Sequence, residues 1–152
     1  MASETGTQAD ATRAFVKAFD AGWREGGAGF VEHFLALADE DVLLTQPLLP
    51  AARGHDGFRA LFEPLFAAMP DLHGEVRDWT PEPDGLTIEL AVRGTLDGLP
   101  VTFTTRDRIV LRDGKMLERH ARFSPLPLLL AALRRPRKGL PLLLAPLRGR
   151  RR

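Results

Sequence analysis

Asp107 lies within VTFTTRDRIVLRDG, residues 101–114, whose alternation of apolar and polar side chains is that of a β-strand. Val101, Phe103, Thr105, Asp107, Ile109 and Leu111 share one face, and Thr102, Thr104, Arg106, Arg108 and Val110 share the other. Asp107 therefore falls on the more apolar face. A carboxyl group there pairs with a buried partner, takes up a proton or faces a cavity, because an unpaired buried charge costs several kcal/mol or more. Beside a guanidinium it would form an ion pair; alone among Phe and Leu it would act as a hydrogen-bond donor.

The next strand, within KMLERHARF, supplies two further candidates. If Ala121 and Phe123 face inward, Arg119 shares their face and stands beside Asp107, while His120 faces outward. A shift of one residue in register would instead bring His120 in as a base. An Asp107–Arg119 pair reads either as a buried ion pair that fixes sheet register or as a catalytic, ligand-polarising group. The other histidines, His33, His55 and His73, form no metal-binding pattern: HGE at His73 lacks the cysteines of a zinc deaminase, and there is no HExxH. No metal and no cofactor are expected. A Gly-rich phosphate loop, a Ser nucleophile elbow and a base-stacking motif are all absent, so no nucleic-acid partner is expected either.

The elements that must position these residues follow from periodicity. Residues 10 to 25, DATRAFVKAFDAGWRE, place Phe15, Phe19 and Trp23 on one helical stripe that stops at Gly26 and Gly27. FVEHFLALA forms a second, shorter helix, and VLLTQ, residues 42 to 46, a short strand closed by Pro47. GHDGFRALFEPLFAAMPD reads as a third helix with Asp56 as N-cap, Phe58, Phe62 and Phe66 on its apolar face, and a kink or break at Pro64. From His73 onward the period becomes two, with Pro-Asp-Gly, Asp-Gly and Arg-Asp-Gly turns, which predicts an antiparallel meander. Helices followed by a sheet give an α+β fold, with the helices covering one face.

At 152 residues and 44% apolar content the chain is one domain of ordinary size. Without cysteine it has neither disulfides nor a thiol nucleophile, and this fits a reducing compartment. The first residues, MASETGTQADATR, lack the pattern of a secretory signal, and no run reaches the roughly 18 apolar residues of a membrane span. A soluble cytoplasmic protein is the simplest expectation.

The order of elements, with DEDVLLTQP, RGHDGFRALFEPLFAAMPDL, DRIVLRDGKMLER and RFSPLPLLLAALRRP, resembles the SnoaL-like branch of the nuclear transport factor 2 superfamily over residues 10–136. The resemblance implies a cone in which a curved antiparallel sheet is covered by about three N-terminal helices, with a short C-terminal helix. It also implies a deep pocket, a homodimer and a small apolar molecule as partner. Phe15, Phe19, Trp23, Gln46, Phe62 and Phe66 from the helices and first strand, with Ile88, Leu90, Phe103 and Phe123 from the meander, would line that pocket.

The resemblance also permits a test of roles. In ketosteroid isomerases an Asp base moves a proton while a Tyr and a protonated Asp hold the oxyanion. The matching positions here are Gln46, Phe15 and Asp107, so only the last keeps its chemistry. The Arg and Asp of the epoxide hydrolases fall near Ile88 and Leu90, and their last-strand Asp near Ala121, where the cyclases also keep an acid. The aspartate often found after the final aromatic is Ser124. Two expectations follow: a binder of an apolar or polycyclic molecule with cofactor-free isomerase, cyclase or hydrolase activity assisted by Asp107, or a non-catalytic binding or dimerisation module.

Residues 137–152 fall outside the resemblance. Ten of the 21 Lys and Arg follow Glu118 and none of the 20 acidic residues does, so an acidic body carries a basic, leucine-rich tail. Leu126 to Leu133 are expected to form a short helix at the pocket mouth or sheet end, and five prolines from 125 to 146 exclude one long helix. Beyond it, leucines beside arginines suit a segment lying on anionic lipid, or one packed on the protein or a dimer partner.

Overall fold

The change to a period of two at His73 builds the floor of the fold. In the computed structural model, which describes residues 2–148 and the side chains of 6–144, strands β3 (His73–Glu82), β4 (Gly85–Leu96), β5 (Leu99–Arg112) and β6 (Lys115–Arg122) form the expected antiparallel meander. Two of its turns are Asp-Gly pairs with positive φ at both residues, 49° and 81° at Asp97–Gly98 and 53° and 77° at Asp113–Gly114. That geometry matches the right-handed twist of the flanking strands.

Two further strands complete a curved, mixed sheet of order β2-β1-β6-β5-β4-β3. β1 (Ala38–Gln46) runs parallel to β6, so the sheet is not antiparallel throughout as expected. The helices that precede β1 deliver it to the free edge of β6 in that direction, and the chain then turns back through Leu48, at φ 67°, into β2 (Leu49–Arg53). β2 was not legible in the sequence because Pro47 and Pro50 break the alternation; its place at the sheet edge is where a strand tolerates proline.

The helices lie against the inner face. α1 (Ala2–Glu25) starts earlier than periodicity alone predicts, and Gly26, at φ 55°, turns the chain toward α2 (Phe30–Leu37). α3 (Gly54–Ala68) begins after Arg53, so Asp56 is not its N-cap; it lies in the first turn, where a carboxylate still favours the helix dipole. The helix also runs through Pro64 without ending there. Phe15, Phe19, Trp23, Phe30, Phe34 and Phe58 from these helices are buried against Ile88, Leu90, Val92 and Ile109 of the sheet. Ring centroids 4.7 Å apart for Trp23–Phe30, between α1 and α2, and 4.4 Å for Phe30–Phe66, between α2 and α3, show how closely the helices are joined. Each fully buried Phe contributes about 1.5–3 kcal/mol by leaving water.

The last two helices, α4 (Leu126–Arg134) and α5 (Pro136–Arg148), are separated at Arg135, with Pro136 opening α5. Pro141 and Pro146 are accommodated within α5 rather than ending it. Gly139 lies so close to Ala132 that a Cβ there would collide with the α4 backbone, so α5 folds back on α4 at that point.

Candidate ligand cavity

Between α3, the inner face of β1, β5 and β6, and the α4–α5 pair lies a cavity of about 150 Å³. Its wall is almost wholly apolar. Trp23 and Phe62 come from the helices, Phe103 and Phe123 from the end of the sheet, and Leu128, Leu129, Leu142 and Leu143 from α4 and α5. The latter four form its wall on the side of α4 and α5.

Among the described residues, three polar side chains reach this wall: Gln46, Thr105 and Arg119. Each is placed by strand alternation on β1, β5 or β6. Arg119 is 6% exposed, and its Nε donates to Asp107 Oδ2 at 3.0 Å. Its guanidinium carbon stands 5.5 Å from the centre of the Phe62 ring, within reach of a cation–π attraction. Its two Nη groups make no hydrogen bond to the protein among the described residues. Asp107 is fully buried behind Arg119 and does not itself line the cavity.

Among the described residues, three buried side-chain oxygens have no hydrogen-bond partner: Asp107 Oδ1, Thr105 Oγ1 and Gln46 Oε1. Gln46 uses its amide nitrogen on the Pro50 carbonyl at 3.2 Å, which leaves the oxygen free. Buried polar atoms are nearly always paired, so an unpaired group costs about 1–3 kcal/mol. Two of these three belong to residues lining the cavity.

The sequence candidates divide accordingly. Trp23, Gln46, Phe62, Phe103, Phe123 and Arg119 meet at the cavity. Phe15, Phe19, Ile88 and Leu90 are buried in the core, and Phe66 packs against that core, so none of the five lines it. The first four share the correct face but sit deeper, where α1 and α2 fill the cone, while Phe66 is only half-buried on α3. His120 is on the opposite face, since β5 and β6 pair Asp107 with Ala121 and Arg108 with His120. There its Nδ1 meets Thr45 Oγ1 at 2.7 Å and its Nε2 meets Glu118 Oε1 at 2.9 Å. Thr105 was legible on the Asp107 face but gave no chemical signal beside the charge two residues away. Leu142 and Leu143 lie in the segment beyond the family resemblance, and only the folding back of α5 reveals their role. No cluster of three or more His, Asp or Glu suited to a metal is found among the described residues.

With this geometry in place, comparison with known proteins defines the class. The family model described as a SnoaL-like domain matches residues 9–119, and the chain belongs to that family. No curated protein matches the sequence. Among solved structures, the fold is similar to a protein from Jannaschia sp. CCS1 provisionally described as a SnoaL-like polyketide cyclase: TM-score 0.70, 20% identity, covering 80% of this chain and 91% of that one. It is also similar to an LEH-like epoxide hydrolase from M. tuberculosis, with TM-score 0.65, 17% identity, and 91% and 97% of the two chains covered. TerC, crystallised with polyporic acid, has TM-score 0.65, 19% identity, and coverage of 77% and 96%. At these identities the likeness concerns the α+β cone fold, not the chemistry.

Proposed function

We propose that this protein binds a small, largely apolar molecule carrying a carbonyl or similar acceptor oxygen, which Arg119 orients. One observation carries the reading: a guanidinium inside an apolar cavity, fixed at Nε by Asp107 and flanked by Phe62, with both Nη groups unpaired among the described residues. Such donors in a dry site are worth more than in water, because there is little solvent to compete. Thr105 Oγ1 and Gln46 Oε1 offer a second polar contact, so a ligand with an oxygen at one end and a donor nearby satisfies all three. A cavity of about 150 Å³ suits a single ring, since an apolar cavity of that size accepts benzene. A polycyclic ligand needs α4 and α5 to move outward. That TerC is crystallised with polyporic acid supports a small-molecule role for a pocket of this fold.

A second reading is a cofactor-free isomerase, cyclase or hydrolase. Asp107 Oδ1, buried and unpartnered, favours it, and Arg119 would stabilise an oxyanion that develops on the substrate. Against it, no carboxylate or imidazole side chain lines the cavity among the described residues. Calorimetric binding and turnover assays on a panel of enones, ketones and epoxides separate the two. Binding without turnover across the panel supports the first reading; turnover abolished by Asp107→Asn with binding retained supports the second. The family further supports a homodimer, for which the outer sheet face, exposed at Thr102, Thr104, Arg106 and Arg122, is the available surface; sedimentation velocity tests this.

A further inference from the structure

The α4–α5 pair is apolar on both sides. Its inner side supplies Leu128, Leu129, Leu142 and Leu143 to the cavity. On its outer side Leu126, Leu130 and Leu133 recur at helical spacing along α4, with exposures of 56%, 44% and 73%, and Leu140 and Leu144 do so along α5, at 47% and 43%. Among the described residues, the one other large hydrophobic side chain so exposed is Leu48, which itself lines the cavity. Exposed leucines are thus concentrated on the two helices that wall the cavity and at Leu48 in its lining, and a concentration of that kind marks a contact surface.

The charge beside this patch indicates the partner. Arg134, Arg137 and Lys138 are exposed at the α4–α5 junction and have no ion-pair partner among the described residues. From Arg119 to the end of the sequence there is no acidic residue to oppose them. Leucine stripes beside unopposed cations are the pattern of a segment that lies in the interface of an anionic bilayer. A protein partner would need acidic side chains matched to three particular cations, whereas a lipid surface supplies anions at any spacing.

We infer that the outer face of α4 and α5 docks on an anionic lipid surface, so that the cavity beneath it exchanges its apolar ligand directly with the bilayer. This rests on the reading that the cavity takes an apolar ligand. The two apolar sides of one lid then serve one path: the outer leucines enter the acyl boundary, and the inner ones line the site that receives the molecule.

Co-sedimentation of the full chain with vesicles of phosphatidylcholine, with and without phosphatidylglycerol, tests the inference. Binding is expected to the anionic vesicles only, at low salt, and to weaken at high salt. Replacing Arg134, Arg137 or Lys138 by Gln should lower the partition about fivefold for each cation removed. Leu133→Ser with Leu140→Ser, at exposed positions outside the cavity wall, should abolish binding while acetophenone binding in the cavity is unchanged. Absence of anionic-vesicle binding at low salt overturns the inference, as does binding that these variants leave intact. A leucine variant that instead converts a dimer to a monomer, with no vesicle binding by the parent, assigns the face to a second copy and also overturns it. Acetophenone binding measured in parallel shows whether the cavity reading has failed as well.

Discussion

Arg119 and Asp107 meet diagonally across β5 and β6: Asp107 pairs with Ala121 and Arg119 with Ile109, yet Arg119 Nε reaches Asp107 Oδ2 at 3.0 Å. The diagonal sends the guanidinium along the sheet toward the cavity and leaves the carboxylate behind it. One residue is therefore presented to a ligand and the other holds it in place.

Stability and binding are separable at this pair. Asp107→Asn leaves a buried guanidinium without its counterion and is expected to cost on the order of 3–5 kcal/mol in urea unfolding. Asp107→Leu combined with Arg119→Met replaces the pair by apolar side chains and should recover most of that loss. The double variant should still lack any preference for oxygen-bearing ligands over their hydrocarbon counterparts. Recovery of both properties would mean that the pair is structural only.

Thr105 offers a test with the opposite sign. Its hydroxyl is buried without a partner, so Thr105→Val, nearly identical in shape, removes an unsatisfied group. Stability should rise, by about 1–3 kcal/mol, while affinity for an oxygenated ligand falls severalfold. A destabilised Val variant would show that the hydroxyl already has a partner in the free protein.

Much of the site was legible because strand alternation is strict. The period of two in residues 101–114 put Thr105 and Asp107 inward, and the same period on β6 put Arg119 beside them and His120 outside. Depth was not legible. Phe15, Phe19, Ile88 and Leu90 carry the same apolar signal as Phe62 and Phe103, and only the packing of α1 and α2 decides which group borders empty space. The parallel entry of β1 and the short β2 were hidden for different reasons. Strand direction depends on the path of the helices before it, and proline at an edge strand erases the alternation that would reveal it. The closing role of Leu142 and Leu143 depends on the contact of Gly139 with Ala132, a tertiary fact with no local signature.

Acid sensitivity should arise at a clamp outside the cavity. Asp71 accepts hydrogen bonds from the Thr95 backbone N–H at 2.9 Å and from its hydroxyl at 2.8 Å, joining the start of β3 to the end of β4. The Thr95 N–H above all holds its carboxyl below the ordinary value, against the opposing effect of desolvation. A lowered folded-state value means that the stabilisation is complete above the unfolded value near about pH 4 and is lost as pH falls through the folded value. Asp71→Asn should therefore flatten the fall in stability below about pH 4 and leave its slope near neutrality unchanged. Chemical denaturation across that range checks this, and an unchanged acid slope would exclude the clamp as its source.

The central claim, that Arg119 is presented to the oxygen of an apolar ligand, is tested most directly by calorimetric affinities for acetophenone and ethylbenzene. These one-ring molecules of similar shape differ in the carbonyl oxygen. The wild-type protein should prefer acetophenone by about tenfold or more, the worth of a hydrogen bond to a charged donor. In the Asp107→Leu, Arg119→Met variant that preference should vanish while ethylbenzene binding persists. Equal affinity for the two ligands in the wild type, or a preference that survives the loss of Arg119, would contradict the account.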